Sequence, residues 1–150
     1  MNHNLEQQLY NTHPELFLRN TKFPVSIDVG DGWFNIIDQL AYCICSSVNS
    51  AKAELFSAKQ REPNNTTCIA AKQSNVDDAI AALPSVMQVK EKFGSLRFYY
   101  NCNCETSRID TFIEFAERMS LCTCDRCGVQ GKLQRAGWMQ VKCDNCLTKK

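Results

Sequence analysis

The chain has 150 residues, 44% of them hydrophobic, with 17 basic and 16 acidic side chains and a net charge of +1. That length supports one hydrophobic core plus at most a small appended module. No apolar run reaches the ~18 residues a membrane helix needs, and the N-terminus MNHNLEQQLYNTHPELFLRN lacks a charged-then-apolar leader pattern, so the expectation is a cytoplasmic protein with no membrane partner.

Asp31, in Gly30-Asp31-Gly32-Trp33, is a suitable N-cap for a long helix. Trp33, Ile37, Leu40, Ile44, Val48, Ala51 and Leu55 recur at steps of three and four, which draws one packing stripe. The helix is expected to fade after Ser57 and to stop at Pro63-Asn64-Asn65. Asn64 to Asn75 is polar and reads as loop, giving a polar insertion over residues 57–75. A short helix is predicted from Val76 to Leu83, ended by Pro84.

Val86 to Tyr100 reads as a β-hairpin. Gly94-Ser95 suits a type II′ turn, with Phe93 opposite Leu96. Alternation then places Val89, Glu91, Phe93, Leu96, Phe98 and Tyr100 on an apolar face. Glu91 there needs a cationic or hydrogen-bonding partner, and Arg108 and Arg118 of the next helix are candidates. The opposite face carries Gln88, Lys90, Lys92, Arg97, Tyr99 and Asn101. Cations beside an aromatic can engage phosphates and a stacked base; a solvated outer face has the same composition. Ser107-x-x-Asp110 is a capping pair for the last main helix, whose stripe of Ile109, Phe112, Ile113, Ala116, Met119 and Ser120 is expected to cross the hairpin's apolar face.

The ten cysteines, in a chain without a leader pattern, argue for metal binding and free thiols over a disulfide framework. Cys124-x2-Cys127 and Cys143-x2-Cys146, fifteen residues apart, have the spacing of a four-cysteine zinc site. Gly128 permits the positive φ such a knuckle commonly needs. Lys132 to Arg135 and Gly137 to Val141 read as two short strands, with Trp138 and Val141 covering the site. One Zn²⁺ held by four thiolates has no open position, so the ion is structural. It contributes on the order of 10 kcal/mol to folding in place of a core.

Cys122 competes poorly with Cys124, which has the x2 spacing and the following glycine. A second site from Cys102, Cys104 and Cys122 is excluded by an intervening helix of ~24 Å. Cys43, Cys45, Cys68, Cys102, Cys104 and Cys122 are therefore expected to be free thiols. The fold class is α+β: two main helices packed on a small antiparallel hairpin or sheet in a body of residues 1–120, followed by a zinc ribbon over residues 121–150.

Taken in order, Gly30-Asp31-Gly32-Trp33, QVKEKFGSLRFYY from Gln88 to Tyr100, Cys124-x2-Cys127-Gly128, Gly137-Trp138 and Cys143-x2-Cys146 span most of the chain. In these motifs it resembles a family of uncharacterised bacteriophage and bacterial proteins. The resemblance implies a phage-type product working in a bacterial cytoplasm and supplies no activity. Ser95 departs from it where a second glycine is usual, and the Ser46 to Asn75 region is longer and more polar.

Catalytic constellations are scarce. His3 and His13 are the two histidines, with no HExxH, and the chain has no Walker loop, no GxSxG and no deaminase H-x-E with P-C-x-x-C. Asp28, Asp31 and Asp38 are more simply caps and a solvated helix face than a carboxylate set. The preferred reading is a non-enzymatic, zinc-stabilised binding protein acting on a host protein, such as a component of host defence or transcription. Its candidate contacts are Lys90, Lys92, Arg97 and Tyr99 on the hairpin, with Arg126, Lys132, Arg135 and Lys142 on the ribbon. The alternative is nucleic-acid binding through the same cations. Beyond Arg118 there are 6 basic and 2 acidic residues, against 11 and 14 before it, but four thiolates with Zn²⁺ reduce the tail to about +2. A third reading, sequestration of a small nucleotide, has no sequence feature of its own.

Overall fold

The computed structural model describes residues 1–19, 25–102, 107–135 and 137–148. Within them the chain runs α1 (His3–Thr12), α2 (Pro14–Phe17), β1 (Ile27–Asp28), a 3-10 turn (Asp31–Trp33), α3 (Phe34–Ile44), α4 (Ser46–Arg61) and α5 (Thr66–Ala81). It continues through β2 (Ser85–Lys92), β3 (Ser95–Asn101), α6 (Ser107–Ser120), β4 (Lys132–Gln134), β5 (Gln140–Lys142) and α7 (Asp144–Thr148). The class is α+β, as the sequence leads one to expect. One sheet has the order β1-β2-β3 and the other pairs β4 with β5. β2 and β3 are antiparallel, while β1 joins β2 in parallel, Ile27 beside Val89 and Asp28 beside Lys90.

The long helix predicted from Asp31 is instead three elements. Asp31 does not cap it: its carboxylate accepts from the Asn2 backbone N–H (2.7 Å) and from Asn2 Nδ2 (2.8 Å). These two donors hold the Asp31 carboxyl below its ordinary value. The Asn2 side-chain oxygen meanwhile accepts from Leu5 N and caps α1. Asp31 thus ties α1 to the turn that leads into α3. A second break falls at the buried Cys45, separating α3 from α4.

The polar stretch predicted as loop is largely α5. Its start is set by Asn65, whose side chain accepts from Cys68 N at 3.0 Å, and Ala70, Ala71, Lys72 and Gln73 are strong helix formers. α5 packs back along α4, with Lys72 bonded to Glu54 at 2.6 Å between them. Val48, Leu55 and Val76 are the buried residues of this helix pair, a thin apolar seam.

The hairpin exists, but its turn is one residue earlier than predicted. Phe93 (φ 56) and Gly94 (φ 75) are the central residues, and Lys92 pairs with Ser95, Glu91 with Leu96 and Val89 with Phe98. Two consecutive positive φ angles are the type I′ pattern, which matches strand twist. Because the register moves by two positions in sum, the two faces stay as expected, with Val89, Leu96 and Phe98 buried. Phe93 is the exception, 64% exposed at the tip. Glu91 finds its partner within the turn, accepting from Gly94 N at 2.6 Å, so neither Arg108 nor Arg118 is needed. Arg118 pairs with Glu114 and Arg108 lies over the Phe112 ring. An irregularity between Val86 and Gln88 lets Val86 as well as Val89 face inward while Met87 is exposed.

α6 lies against α3 and β3. Ile113, Ala116 and Ser120 are buried, Ile109 and Phe112 partly so, and Met119 is exposed, a narrower stripe than predicted. Ser120 Oγ accepts from Leu96 N (2.9 Å) and donates to Glu117 O (2.6 Å), fixing the end of α6 to the start of β3. Leu9, Phe17, Trp33, Ile37, Val89 and Leu96 form the centre of the core.

Candidate metal centre

The chain from α6 to α7 makes two knuckles that face each other. In the first, Cys124 N donates to Val129 O (2.8 Å) and Gly128 N to Cys124 O (2.9 Å), and Gly128 has φ +77. In the second, Cys146 N and Leu147 N both donate to Cys143 O at 3.0 Å, so Cys143 precedes α7 and Cys146 sits in its first turn. Asp125 N donates to Val141 O (2.9 Å), which joins the first knuckle to β5.

This brings the sulfurs of Cys124, Cys127, Cys143 and Cys146 within 4.8 Å of one another. Cys127 lies 3.6 Å from Cys143 and 3.5 Å from Cys146, sulfur to sulfur. A tetrahedral ion with metal–sulfur bonds of ~2.3 Å has sulfur–sulfur edges of about 3.8 Å, so the four residues fit one metal ion. Burial pushes the Cys124 thiol up, but backbone N–H groups of Cys143, Arg126 and Cys127 outweigh it and bring the thiol down to about 6. Cys146, which donates its proton to Cys127, is pushed up to about 12. Sulfurs this close cannot all ionise alone, and a cation between them removes that conflict.

Three further features set the surroundings. Gly32 N donates to Asp125 O (2.8 Å), and the buried Trp33 donates from Nε1 to Thr123 O (2.9 Å). Lys142 and Asp125 form an ion pair whose side chains are only 17% and 14% exposed. At Gly94 an added Cβ would lie 2.4 Å from Leu133 Cδ1, so the hairpin tip packs against β4. Val141 is wholly buried beneath the site, but Trp138, expected to help cover it, is 77% exposed. The reason is positional: Trp138 lies between β4 and β5, outside their three paired positions.

The eight predicted contact residues divide into two kinds. Lys90 Nζ sits 5.0 Å from the centre of the Tyr99 ring, and Lys92 Nζ 5.4 Å from that of Phe93. Arg126, Lys132 and Arg135 are exposed on the ribbon. Arg97 and Lys142 are half-buried and engaged within the fold. Arg97 donates to Glu117 (3.0 Å), Ser95 Oγ and Leu96 O, and Lys142 holds Asp125. Asp28, Asp31 and Asp38 do not converge: Asp28 lies in β1, Asp31 binds Asn2, and Asp38 pairs with the buried His13 at 2.8 Å.

Cys43, Cys45, Cys68 and Cys122 are free thiols, as expected. Cys102 is disulfide-bonded, which corrects an expectation based on redox compartment alone, and Cys104 lies outside the described residues. Sequence reasoning missed the part played by Gly30, Gly32 and Trp33 at the knuckle. The available signal was two glycines around Asp31 where no tight hairpin turn demanded them. Compared with protein-family models, with curated proteins and with solved structures, the chain gives no match.

Proposed function

We propose that the protein is a non-enzymatic binding protein of phage type, its ribbon held by one structural zinc ion, acting on a host protein in the bacterial cytoplasm. The observation that carries this reading is a four-sulfur cluster in a ribbon against which an exposed tip of aromatic and cationic side chains is packed. Thiolate ligands in tetrahedral array favour zinc among common divalent ions. Four protein ligands leave no position for a water or substrate, so the ion scaffolds and does not activate. The tip offers Lys92 and Phe93 on the hairpin and Lys132 on the ribbon; an exposed aromatic is the kind of side chain that anchors a protein interface, and flanking lysines steer an acidic partner toward it. The host and its defence or transcription machinery enter through the motif resemblance.

The test is capture from bacterial lysate with the native protein and with a Lys92→Ala, Phe93→Ala, Lys132→Ala variant of equal zinc content. A host protein retained by the first and lost by the second is the expected result, and nothing retained above background overturns the reading. Nucleic-acid binding is the second reading, favoured by the Lys90–Tyr99 and Lys92–Phe93 stacks. It is weakened because Arg97 and Lys142 are neutralised internally. Oligonucleotide affinity that falls steeply between two salt concentrations would establish it in place of the first.

A further inference from the structure

The knuckle that presents Cys124 and Cys127 is walled by a turn ninety positions away in the sequence. Gly30 has φ −71, and Gly32 also lies outside the left-handed region, so backbone conformation does not require glycine at either place. Space does. A Cβ on Gly30 would lie 2.0 Å from Asp125 O, and one on Gly32 would lie 2.1 Å from Cys124 O, 2.4 Å from Gly128 N and 2.7 Å from Cys127 N. The Cys127 amide is one of those aimed at the Cys124 sulfur, so Gly32 touches the backbone that orients a ligand. Two hydrogen bonds complete the clamp, Gly32 N to Asp125 O and Trp33 Nε1 to Thr123 O.

We infer that Gly32 and Trp33 are positioning residues for the metal, holding the first knuckle in the shape that binds the ion. The inference rests on the four-thiolate reading above. A knuckle left to itself must order its backbone when the ion arrives, and that ordering opposes binding. A knuckle pressed against Gly32 and hung from Trp33 is ordered beforehand. By linkage the effect is reciprocal, so the ion stabilises this turn as much as the turn favours the ion. The turn and the ribbon are then coupled, with metal affinity set in part by residues far in sequence from the four ligand cysteines.

The test is zinc affinity of the full chain, measured by competition with a chromogenic chelator under reducing conditions. The visible spectrum of the cobalt-substituted protein reports ligand geometry. Trp33→Phe keeps an aromatic ring but removes the N–H and part of the buried volume; Gly32→Ala inserts the forbidden methyl; Leu9→Ala removes buried volume from the core at a position away from the knuckle and so controls for the packing loss. Trp33→Phe is expected to lower zinc affinity about tenfold, the usual scale for groups that orient ligands. Gly32→Ala should lower it at least as much, with an altered cobalt spectrum, and Leu9→Ala should leave it nearly unchanged. Affinity in Trp33→Phe within about twofold of wild type overturns the inference, as does an equal loss in Leu9→Ala, which would mean that global stability alone is read. If Gly32→Ala fails to fold, the comparison of Trp33→Phe with Leu9→Ala decides. A wild-type chain that takes up no zinc overturns the four-thiolate reading itself, a result separable from every variant comparison.

Discussion

Phe93 is the one non-glycine residue at positive φ among those described, and its ring is mostly exposed. A bulky residue in the left-handed region costs on the order of 1 kcal/mol, which core packing does not return here. Phe93→Asn gives the Asn-Gly pair that type I′ turns prefer. It is expected to raise stability in urea unfolding by about 0.5–1 kcal/mol while weakening capture of the host partner. A loss of stability would show that the ring packs. At Cys45 the issue is ionisation. Burial pushes its thiol from an ordinary 9.0 up to about 11, so the folded state holds this proton more tightly than the unfolded state. The stabilisation is complete below pH 9 and is lost as pH rises toward 11. At neutral pH, alkylation followed by peptide mass spectrometry should label the exposed Cys122 first and leave Cys45 unmodified in the folded chain.

The α4–α5 pair has a thin apolar seam of Val48, Leu55 and Val76, with the exposed Lys72–Glu54 pair beside it. Amides of α5 are therefore expected to exchange with deuterium well before those of β2, β3 and α3, as mass spectrometry of the exchanged protein would show. Asn65→Ala removes the cap on α5 and should cost about 1 kcal/mol, measured by thermal unfolding. This pair also shows where sequence reading stops. α5 carries its helical signal in alanines and a cap, with no amphipathic stripe, so periodicity passes over it. The hairpin turn was ambiguous because Gly94 serves equally as the first central residue of a type II′ turn or the second of a type I′ turn. By contrast the cysteine spacing was legible, since two turns with two intervening residues each fix sulfur positions locally. The parallel β1 pairing and the glycine clamp were not, because both depend on which distant backbone arrives alongside.

For the molecule as a whole, a zinc ion held by the four sulfurs displaces their protons, so protons and metal compete for the same site. The stability that such an ion confers is present at neutral pH and is lost as acid displaces it from the thiolates. Bound zinc and melting temperature are expected to decline together on acidification, and elemental analysis alongside calorimetry would check that they do. A body whose melting point ignores the loss of the ion would instead indicate an independent tail.

The bond from the Trp33 indole to the Thr123 carbonyl spans a separation of 90 residues. During synthesis at roughly 5–20 residues per second, Trp33 is made several seconds before the carbonyl it will meet. The largest side chain of the core spends that interval without its final partner. Nascent chains should therefore hold their apolar centre open until the segment carrying Thr123 has been made, and that interval is when a chaperone would find them.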